Sequence, residues 1–337
     1  MKPSHRIAGV VAVVVSSVLL IAITYIYNWF PVQLTPGSGE IDTLYKFMTA
    51  VSIPFFVIIV AFMTFCIVEF RAKPGDPPDK DGEPIHGSTK LELIWTAIPL
   101  VVVLVLGVYS WMVLDHVEAK QKSPLLVKVV GQQFIWNYEY VKNGDTPVGV
   151  KTSGDLVVPV SRPVKLQITS EDVNHSFWIP ATRLKRDATP GVVTPLRFTP
   201  STIGSYDIVC TELCGVGHAV MRAKLRVVSQ PDFDAWVAEQ QGGGKLAGGG
   251  GGPDGKTVFN ANGCGGCHTL AAAGAAGTVG PKLDGLALTD SQIRESIVDP
   301  GAKIATGYSN IMPPSFGKTL SKQELDALVA FIAASGK

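Results

Sequence analysis

The sequence is organised around Cys210-Thr211-Glu212-Leu213-Cys214-Gly215-Val216-Gly217-His218-Ala219-Val220-Met221, which brings two thiols, an imidazole and a thioether into one short stretch. Thiolate and thioether sulfur are soft ligands, and imidazole suits copper, so this donor set favours copper over calcium, magnesium or manganese. Zinc also accepts sulfur and imidazole ligands. The stretch therefore predicts a copper site or a zinc site.

The number of cysteines helps to distinguish a mononuclear from a dinuclear copper site. A mononuclear blue-copper site has one thiolate, two histidines and a weak axial methionine. Here Cys210 and Cys214 can both bridge a pair of coppers, and each copper then needs its own imidazole. His218 supplies one, and His175, at the end of an alternating strand, is the best candidate for the other. Two alternatives remain: tetrahedral zinc, which leaves Met221 without a role, and a disulfide between the two cysteines.

The pattern Cys-x-Glu-x-Cys-x-x-x-His-x-x-Met, with an upstream His-Ser-Phe, resembles the dinuclear CuA site of cytochrome c oxidase subunit II. The resemblance implies a full set of copper ligands in this chain: His175, Cys210, the backbone carbonyl of Glu212, Cys214, His218 and Met221. It also implies that the Glu212 side chain helps to bind a magnesium ion at a subunit boundary.

Composition sets the broad class of the protein. A chain of 337 residues is long enough for two globular domains and additional segments, and a net charge of +1 gives no support for binding to nucleic acid. A hydrophobic content of 46% and a positive mean hydropathy indicate that part of the chain lies in a membrane. Four of the five cysteines fall in two tight clusters, which is typical of metal or cofactor ligands.

Three apolar runs are each long enough to cross a bilayer, which takes about 20 residues: Ile7–Ile26, Thr43–Val68 and Leu91–Leu114. The first, within residues 1–30, resembles a signal peptide, but no small-x-small cleavage site follows it, which favours an uncleaved anchor helix. The other two predict a transmembrane helical hairpin over residues 41–116.

Loop charges orient the hairpin. The segment 71–90 contains four Lys or Arg residues, whereas the segment 29–42 contains none. Because cytoplasmic loops are enriched in these residues, segment 71–90 is predicted to be cytoplasmic. Everything after Asp115 is then outside the cytoplasm.

Beyond the hairpin the pattern changes to short strands. Val164, Leu166 and Ile168 alternate with polar residues, and Leu225 and Val227 do the same. Several such strands predict a β-sandwich or barrel. The family resemblance implies an all-β cupredoxin-like Greek-key barrel over residues 125–229, which carries the CuA site.

An aromatic segment over residues 131–140 lies at the start of this barrel. Bulky aromatic residues in a strand are ordinarily part of the core. In the family, however, this segment lies beside CuA, and Phe134 aligns with the tryptophan through which electrons usually enter. Trp136 matches the family pattern. The resemblance implies that Phe134 and Trp136 are electron-transfer aromatics.

Residues 242–253 are mostly glycine, which predicts a flexible linker and a domain boundary. After it comes Cys264-Gly265-Gly266-Cys267-His268, the spacing of covalent c-type haem attachment, with two thioethers and a histidine ligand. On a helix the two cysteines would share a face. A redox-active CxxC pair is the alternative, in which His268 has no role.

Met312, the one methionine after the linker, is the candidate second axial ligand, since His/Met ligation raises the haem potential. The alternative is a core methionine. Residues 254–337 resemble a small all-α class I cytochrome c, in which the proline of a Gly-Pro-x-Leu segment, here Pro281, backs the histidine ligand.

The resemblance spans nearly the whole chain, as a multidomain membrane protein with N-terminal transmembrane helices. It implies the electron-input subunit of a haem-copper terminal oxidase, with subunit I and other oxidase subunits as partners. Oxygen would be reduced in subunit I, coupled to proton translocation. The electron donor would be a cytochrome c or a quinol-cytochrome c oxidoreductase. The location would be the bacterial inner membrane, with the copper and haem domains on the periplasmic side.

Glu92, at the start of the third span, matches the family's glutamate at the mouth of a proton pathway, although an acidic residue at a helix N-terminus is also favourable in itself. Two alternatives to the oxidase hypothesis remain open. One is the CuA subunit of a nitric oxide reductase, and the other is a membrane-tethered electron carrier without a catalytic partner.

Overall fold

The computed structural model describes residues 3–71, 75, 87–141, 149–242, 254–314 and 316–335. The chain divides into two compact units, Met1–Ala119 and Lys120–Lys337. The first unit consists of three long helices: α1 Pro3–Ile26, α2 Pro36–Phe70 and α3 Thr89–Val117.

All three helices of the first unit are long and apolar enough to cross a membrane, which confirms the three predicted spans. Helix α2 begins at Pro36 rather than at Thr43. A capping box explains the early start, because the Thr35 side chain accepts a hydrogen bond from the backbone of Ser38 and the Ser38 side chain accepts one from Thr35. Pro54 lies inside α2 without ending it, as membrane helices allow.

Helices α2 and α3 contact each other along the hairpin. The rings of Phe47 and Tyr109 meet edge to face at 5.7 Å, and the Glu40 carboxylate lies 2.9 Å from the His116 ring. Most of segment 71–90, the predicted cytoplasmic loop, lies outside the described residues. Its orientation therefore stays a prediction.

The second unit begins with two five-stranded sheets, ordered β3-β2-β1-β5-β8 and β4-β10-β9-β6-β7. The strands are β1 Leu125–Gln132, β2 Ile135–Tyr140, β3 Lys151–Ser153, β4 Leu156–Pro159, β5 Val164–Ser170, β6 His175–Ile179, β7 Leu184–Ala188, β8 Thr194–Phe198, β9 Gly204–Cys210 and β10 Arg222–Val228.

The predicted alternation decides which face of each strand is buried. Val164, Leu166 and Ile168 are buried in β5, and Leu225 and Val227 are buried in β10. Strand β1 pairs antiparallel with β2 but parallel with β5, and β10 pairs parallel with β4. Parallel neighbours far apart in sequence require crossovers between the sheets, as in the predicted cupredoxin-like barrel.

A short helix, α4 Gln230–Gly242, follows the barrel and packs on it. The rings of Phe233 and Trp236 lie against Tyr140, and the Tyr140 hydroxyl exchanges hydrogen bonds with both backbone groups of Val157. This helix closes one side of the barrel. Apart from Gly242, the predicted linker over residues 242–253 lies outside the described residues.

The described residues of the cytochrome-like part form four α-helices and one two-stranded ribbon, joined by turns and loops. Its elements are α5 Gly255–Ala261, β11 Thr269–Leu270, β12 Ala275–Ala276, α6 Asp290–Val298, α7 Phe316–Thr319 and α8 Lys322–Ser335. Ser321 and Glu324 form a capping box at the start of α8. One face of α8 is apolar and lies in the core, with Leu328 and Ile332 buried.

Candidate functional site

Strand register brings His175 beside the first cysteine of the predicted copper site. His175 is the first residue of β6, and β6 pairs with β9 so that Phe177 lies opposite Cys210. The Nδ1 atom of His175 lies 4.0 Å from the Cys210 sulfur. Cys210 ends β9, and residues 211–221, the copper loop, carry the remaining predicted ligands before β10 begins.

The copper loop gathers those ligands around Cys214. Its sulfur lies 3.8 Å from that of Cys210 and 3.6 Å from Nδ1 of His218. The Sδ atom of Met221 lies 3.9 Å from the same sulfur, and the carbonyl oxygen of Glu212 lies 3.4 Å from the Cys210 sulfur. All six predicted donors therefore lie in one cluster.

The donor geometry fits a copper pair better than the alternatives. The two sulfurs are 3.8 Å apart, far beyond the bonded distance of about 2.05 Å in a disulfide. Met221 is only 1% exposed and faces the same cluster, so four-ligand zinc would leave a buried thioether beside it without a role. Two sulfurs with separate imidazoles and a thioether are the donors that a dinuclear copper site requires.

The pKa values of the two thiols are shifted in opposite directions. Burial raises the pKa of Cys210, but hydrogen bonds, led by that with His175, outweigh it and lower this pKa to about 6. At Cys214, burial and the neighbouring Cys210 thiolate both raise the pKa, to about 12. A pair of thiolates this close therefore needs bound cations, which two coppers would supply.

Two further residues hold the ligands in place. Asp172 accepts a hydrogen bond from Nε2 of His175 at 2.8 Å, which leaves Nδ1 facing the Cys210 sulfur. Gln133 donates its backbone N–H to Asp172 at 2.7 Å and its side-chain amide to the Cys214 carbonyl at 2.6 Å. Gln133 thus connects both ligand-bearing segments.

Sequence reasoning missed Asp172 and Gln133. A carboxylate three residues before a histidine ligand is a usable signal, because metal-binding histidines commonly donate their second N–H to a carboxylate. Burial would raise the pKa of Asp172, but hydrogen bonds from His175 and the backbone lower it, which keeps the carboxylate charged. The sequence contains no comparable signal for Gln133.

The predicted haem ligands also come together. Cys264, Cys267, His268 and Met312 line one cavity of about 1450 Å³, here named the haem cavity. Apolar side chains complete its wall, including Phe259, Ile293, Leu328 and Ile332. The two cysteines lie on and just after a 3-10 turn, Cys264–Gly266, rather than on the predicted helix. Because a 3-10 turn has three residues, i and i+3 still share a face.

Gly280 and Pro281 lie beside His268 and orient its ring. Its Nδ1 lies 2.8 Å from the carbonyl oxygen of Pro281, which is the predicted backing contact. A methyl group at Gly280 would lie 2.6 Å from Cε1 of the ring, so only glycine permits this approach. Burial lowers the pKa of His268, which favours the neutral imidazole that binds iron. Nε2 then remains available as a ligand atom.

Three family models match successive parts of the chain. They describe the cytochrome c oxidase subunit II transmembrane domain over residues 22–113, the periplasmic domain of the same subunit over residues 148–228, and cytochrome c over residues 253–335.

Curated relatives agree with these matches. Cytochrome c oxidase subunit 2 of Alkalihalophilus pseudofirmus is 29% identical over 318 residues, which cover 89% of each chain. The probable cytochrome c oxidase subunit 2 of Rickettsia bellii is 30% identical, with 63% of this chain and 83% of the relative covered. The chain belongs to the cytochrome c oxidase subunit II family.

Among solved structures, the periplasmic domain of subunit II of cytochrome oxidase from Bradyrhizobium japonicum is 32% identical. It covers 36% of this chain and 96% of that chain, with a TM-score of 0.34. The match to the periplasmic domain implies CuA copper in this chain, and the match to cytochrome c implies haem c.

The two predicted electron-transfer aromatics both contact the copper site. Trp136 is buried, and its ring meets that of His175 at 5.9 Å. A methyl group at Gly217 of the copper loop would overlap the ring of Phe134, and one at Gly215 would lie 3.1 Å from it. Phe134 therefore packs directly on the copper loop. The electron-transfer role of both aromatics stays a prediction.

The side chains of Glu92 and Glu212 lie outside both clusters. Glu92 is exposed in the first turn of α3, and its part in a proton pathway stays a prediction. Glu212 has an exposed side chain. Within the described part of the chain, the group of acidic, histidine and cysteine side chains that could hold a metal is His175, Cys210 and Cys214. Magnesium at Glu212 gains no support.

Proposed function

We propose that this chain is the electron-input subunit of a haem-copper terminal oxidase. It passes electrons from the haem of its own cytochrome domain to a dinuclear CuA centre and on to a catalytic subunit. That partner reduces oxygen to water, coupled to proton translocation. The observation that supports this most is the presence of two complete donor sets on one chain, the cluster around Cys210 and Cys214 and the haem cavity.

The copper ligands in this proposal are the following: His175, Cys210, the carbonyl of Glu212, Cys214, His218 and Met221. Cys264 and Cys267 would hold a haem covalently, and His268 and Met312 would supply ligands to its iron. When bound, both groups supply one-electron redox chemistry. The chain itself holds its donors in place before any metal arrives and keeps water away from them.

The burial of the copper donors suits electron transfer. His175 is fully buried, and Cys210, Cys214 and Met221 are each less than 5% exposed. Buried donors held by strands and by Asp172 need little rearrangement when charge changes, because the polar groups around them are already oriented. The surrounding protein therefore contributes a rigid, dry site.

In the proposed domain plan, the domains occur along the chain in the opposite order to that in which electrons pass through them. Residues 1–30 form a signal peptide or anchor helix and residues 41–116 the transmembrane hairpin. The CuA domain occupies residues 125–229, the linker residues 242–253 and the cytochrome domain residues 254–337. We place the hairpin in the bacterial inner membrane and both redox domains on the periplasmic side.

This topology has a direct test. A reporter fused at Gly82 should be active as a cytoplasmic fusion, and one fused at Gly248 should be active as a periplasmic fusion, because of the Lys and Arg residues in segment 71–90. A cytoplasmic signal at Gly248 would contradict the arrangement.

The function is tested by purifying the full chain from its native membrane with whatever binds it. We expect two coppers and one covalent haem per chain, a co-purifying polytopic subunit, and oxygen consumption with reduced cytochrome c as donor. Reduction of nitric oxide without oxygen consumption would instead support the nitric oxide reductase alternative. A chain that purifies alone, with both cofactors and no reductase activity, would support a tethered electron carrier.

A further inference from the structure

Gly263 immediately precedes the first haem-attachment cysteine, and its surroundings are unusual for a loop glycine. Its φ is +66°, a left-handed conformation at the N-terminus of the 3-10 turn that carries Cys264. A methyl group at Gly263 would overlap Cδ1 of Ile135 and would lie 3.1 Å from its Cγ1. It would also lie 3.8 Å from Cβ of Ser153. Both neighbours belong to the copper-binding barrel.

Other contacts join the same two surfaces. Helix α5, which leads into Gly263, lies against β3 of the barrel. The haem cavity is lined by Phe134 and Ile135 of the barrel as well as by the haem-attachment residues. The contact between Ile135 and Gly263 therefore lies at the edge of the haem cavity.

The Ile135–Gly263 contact joins residues that are next to the two redox sites. On the barrel side, Ile135 is the residue after Phe134, whose ring packs on Gly217 of the copper loop. On the cytochrome side, Gly263 is bonded to Cys264. A sequence of contacts between the copper loop and the haem-attachment turn thus passes through this apolar junction.

We propose that the Ile135–Gly263 contact is the docking junction between the cytochrome domain and the copper domain, and that Gly263 determines how closely they approach. This inference rests on the proposed function and adds the surface at which the two domains meet. The φ at Gly263 alone would admit asparagine or aspartate at modest cost. A side chain at this position would also displace the end of the Ile135 side chain, so glycine serves the docking contact as well as the backbone.

The chain offers a matched control. Gly285 lies in the same domain and has a φ of +75°, but a methyl group there would meet no atom within 4 Å. Alanine at either glycine imposes similar left-handed backbone strain. Only alanine at Gly263 would also displace Ile135. A difference between the two variants therefore reports docking.

The experiment uses the full-length chain purified from its native membrane, with copper and haem contents verified for each variant. A photosensitiser reduces the haem, and the subsequent electron arrival at copper is timed. We expect Gly263→Ala to slow this transfer severalfold, because a methyl group at this position moves the two domains apart and electron transfer slows with distance. Gly285→Ala should leave the rate unchanged.

A compensating variant tests the steric cause. Ile135→Ala removes the two atoms that a methyl group at Gly263 would approach, so the double variant Gly263→Ala/Ile135→Ala should recover most of the lost rate. A second measurement does not depend on electron transfer. In the isoleucine-methyl NMR spectrum, the Ile135 δ1-methyl signal should show a contact to Gly263 and should shift in Gly263→Ala but not in Gly285→Ala.

The possible results distinguish a failure of the docking junction from a failure of the proposed function. Unchanged transfer in Gly263→Ala, equal slowing in Gly285→Ala, or no recovery in the double variant would each overturn the junction while the proposed function stands. Wild-type chain with both cofactors whose reduced haem never donates to copper would overturn the proposed function itself.

Discussion

The copper site and the haem site are built in different ways, although both lie on one chain. The copper donors are fixed by strands and a loop, and the distances around Cys210 and Cys214 lie between 3.4 and 4.0 Å. The haem ligands instead line a cavity of about 1450 Å³. The barrel surrounds its metal site with an independent core, whereas the cytochrome domain depends on its cofactor to fill its centre.

The distribution of buried side chains supports this contrast. In the barrel, Leu125, Val127 and Leu156 are fully buried, and they belong to strands β1 and β4, which carry no copper donor. In the cytochrome domain, Phe259 and Leu328 belong to the core and also line the haem cavity. Loss of copper should therefore affect function, while loss of haem should affect folding.

The largest effect is expected from removing haem attachment. The variant Cys264→Ser/Cys267→Ser should leave the cytochrome domain without cooperative unfolding, because its apolar cavity would be exposed to water. The barrel should still unfold cooperatively. Limited proteolysis of the full chain, with fragments identified by mass spectrometry, would check both statements. A cytochrome domain that stays protected without haem would remove the contrast between the two sites.

The next effect concerns the copper pair. Cys214→Ser removes the sulfur at the centre of the copper cluster, so the mixed-valence spectrum should disappear while the haem absorption band is unchanged. The barrel should remain folded, since its core is separate from the donors. Cys66→Ser, far away in sequence within α2, is the control and should retain the spectrum. Retention of a copper pair in Cys214→Ser would show that this sulfur is not a bridging ligand.

A smaller effect should follow from removing the second axial ligand of the haem. Met312→Ala should lower the haem potential, because His/Met ligation raises it. Steady-state turnover with the physiological donor should slow, whereas electrons injected directly into the copper pair should reach the partner at the normal rate. Redox titration and photoreduction would measure the two quantities. An unchanged potential would mean that Met312 is a core residue.

The smallest effect is expected from the residues that support the copper ligands. Asp172→Asn should weaken copper binding on the order of tenfold to a hundredfold, as removal of such supporting hydrogen bonds commonly does. The copper potential and the hyperfine signal of the His175 nitrogen should shift with it. Asp207→Asn is the control, because Asp207 is 64% exposed and pairs with Lys224 at the surface. Equal effects of both variants would argue against positioning by Asp172.

Local motifs account for most of what the sequence predicts correctly. The copper loop and the Cys264–His268 segment each hold their donors within a few residues, so spacing alone identifies the chemistry. Strand alternation likewise predicts the buried face of β5 and β10. Helix α2 begins before the apolar run that predicts the span, because the capping box at Thr35 that starts the helix is polar.

The supporting residues could not be predicted in the same way. Asp172 acts on His175 only because the ring is turned with Nε2 toward the carboxylate. Gln133 contacts Asp172 and Cys214, which come close to it only after the strands have paired. Interactions of this kind depend on tertiary structure, and a single sequence contains no periodic signal for them.

The parallel pairing of β4 with β10 has a consequence for the timing of synthesis. Leu156 pairs with Leu225, so the sheet that carries the copper donors cannot close until the last barrel strand has left the ribosome and crossed the membrane. The haem-attachment cysteines emerge later still. All strands of the barrel are therefore available for pairing before the haem-attachment segment has been synthesised.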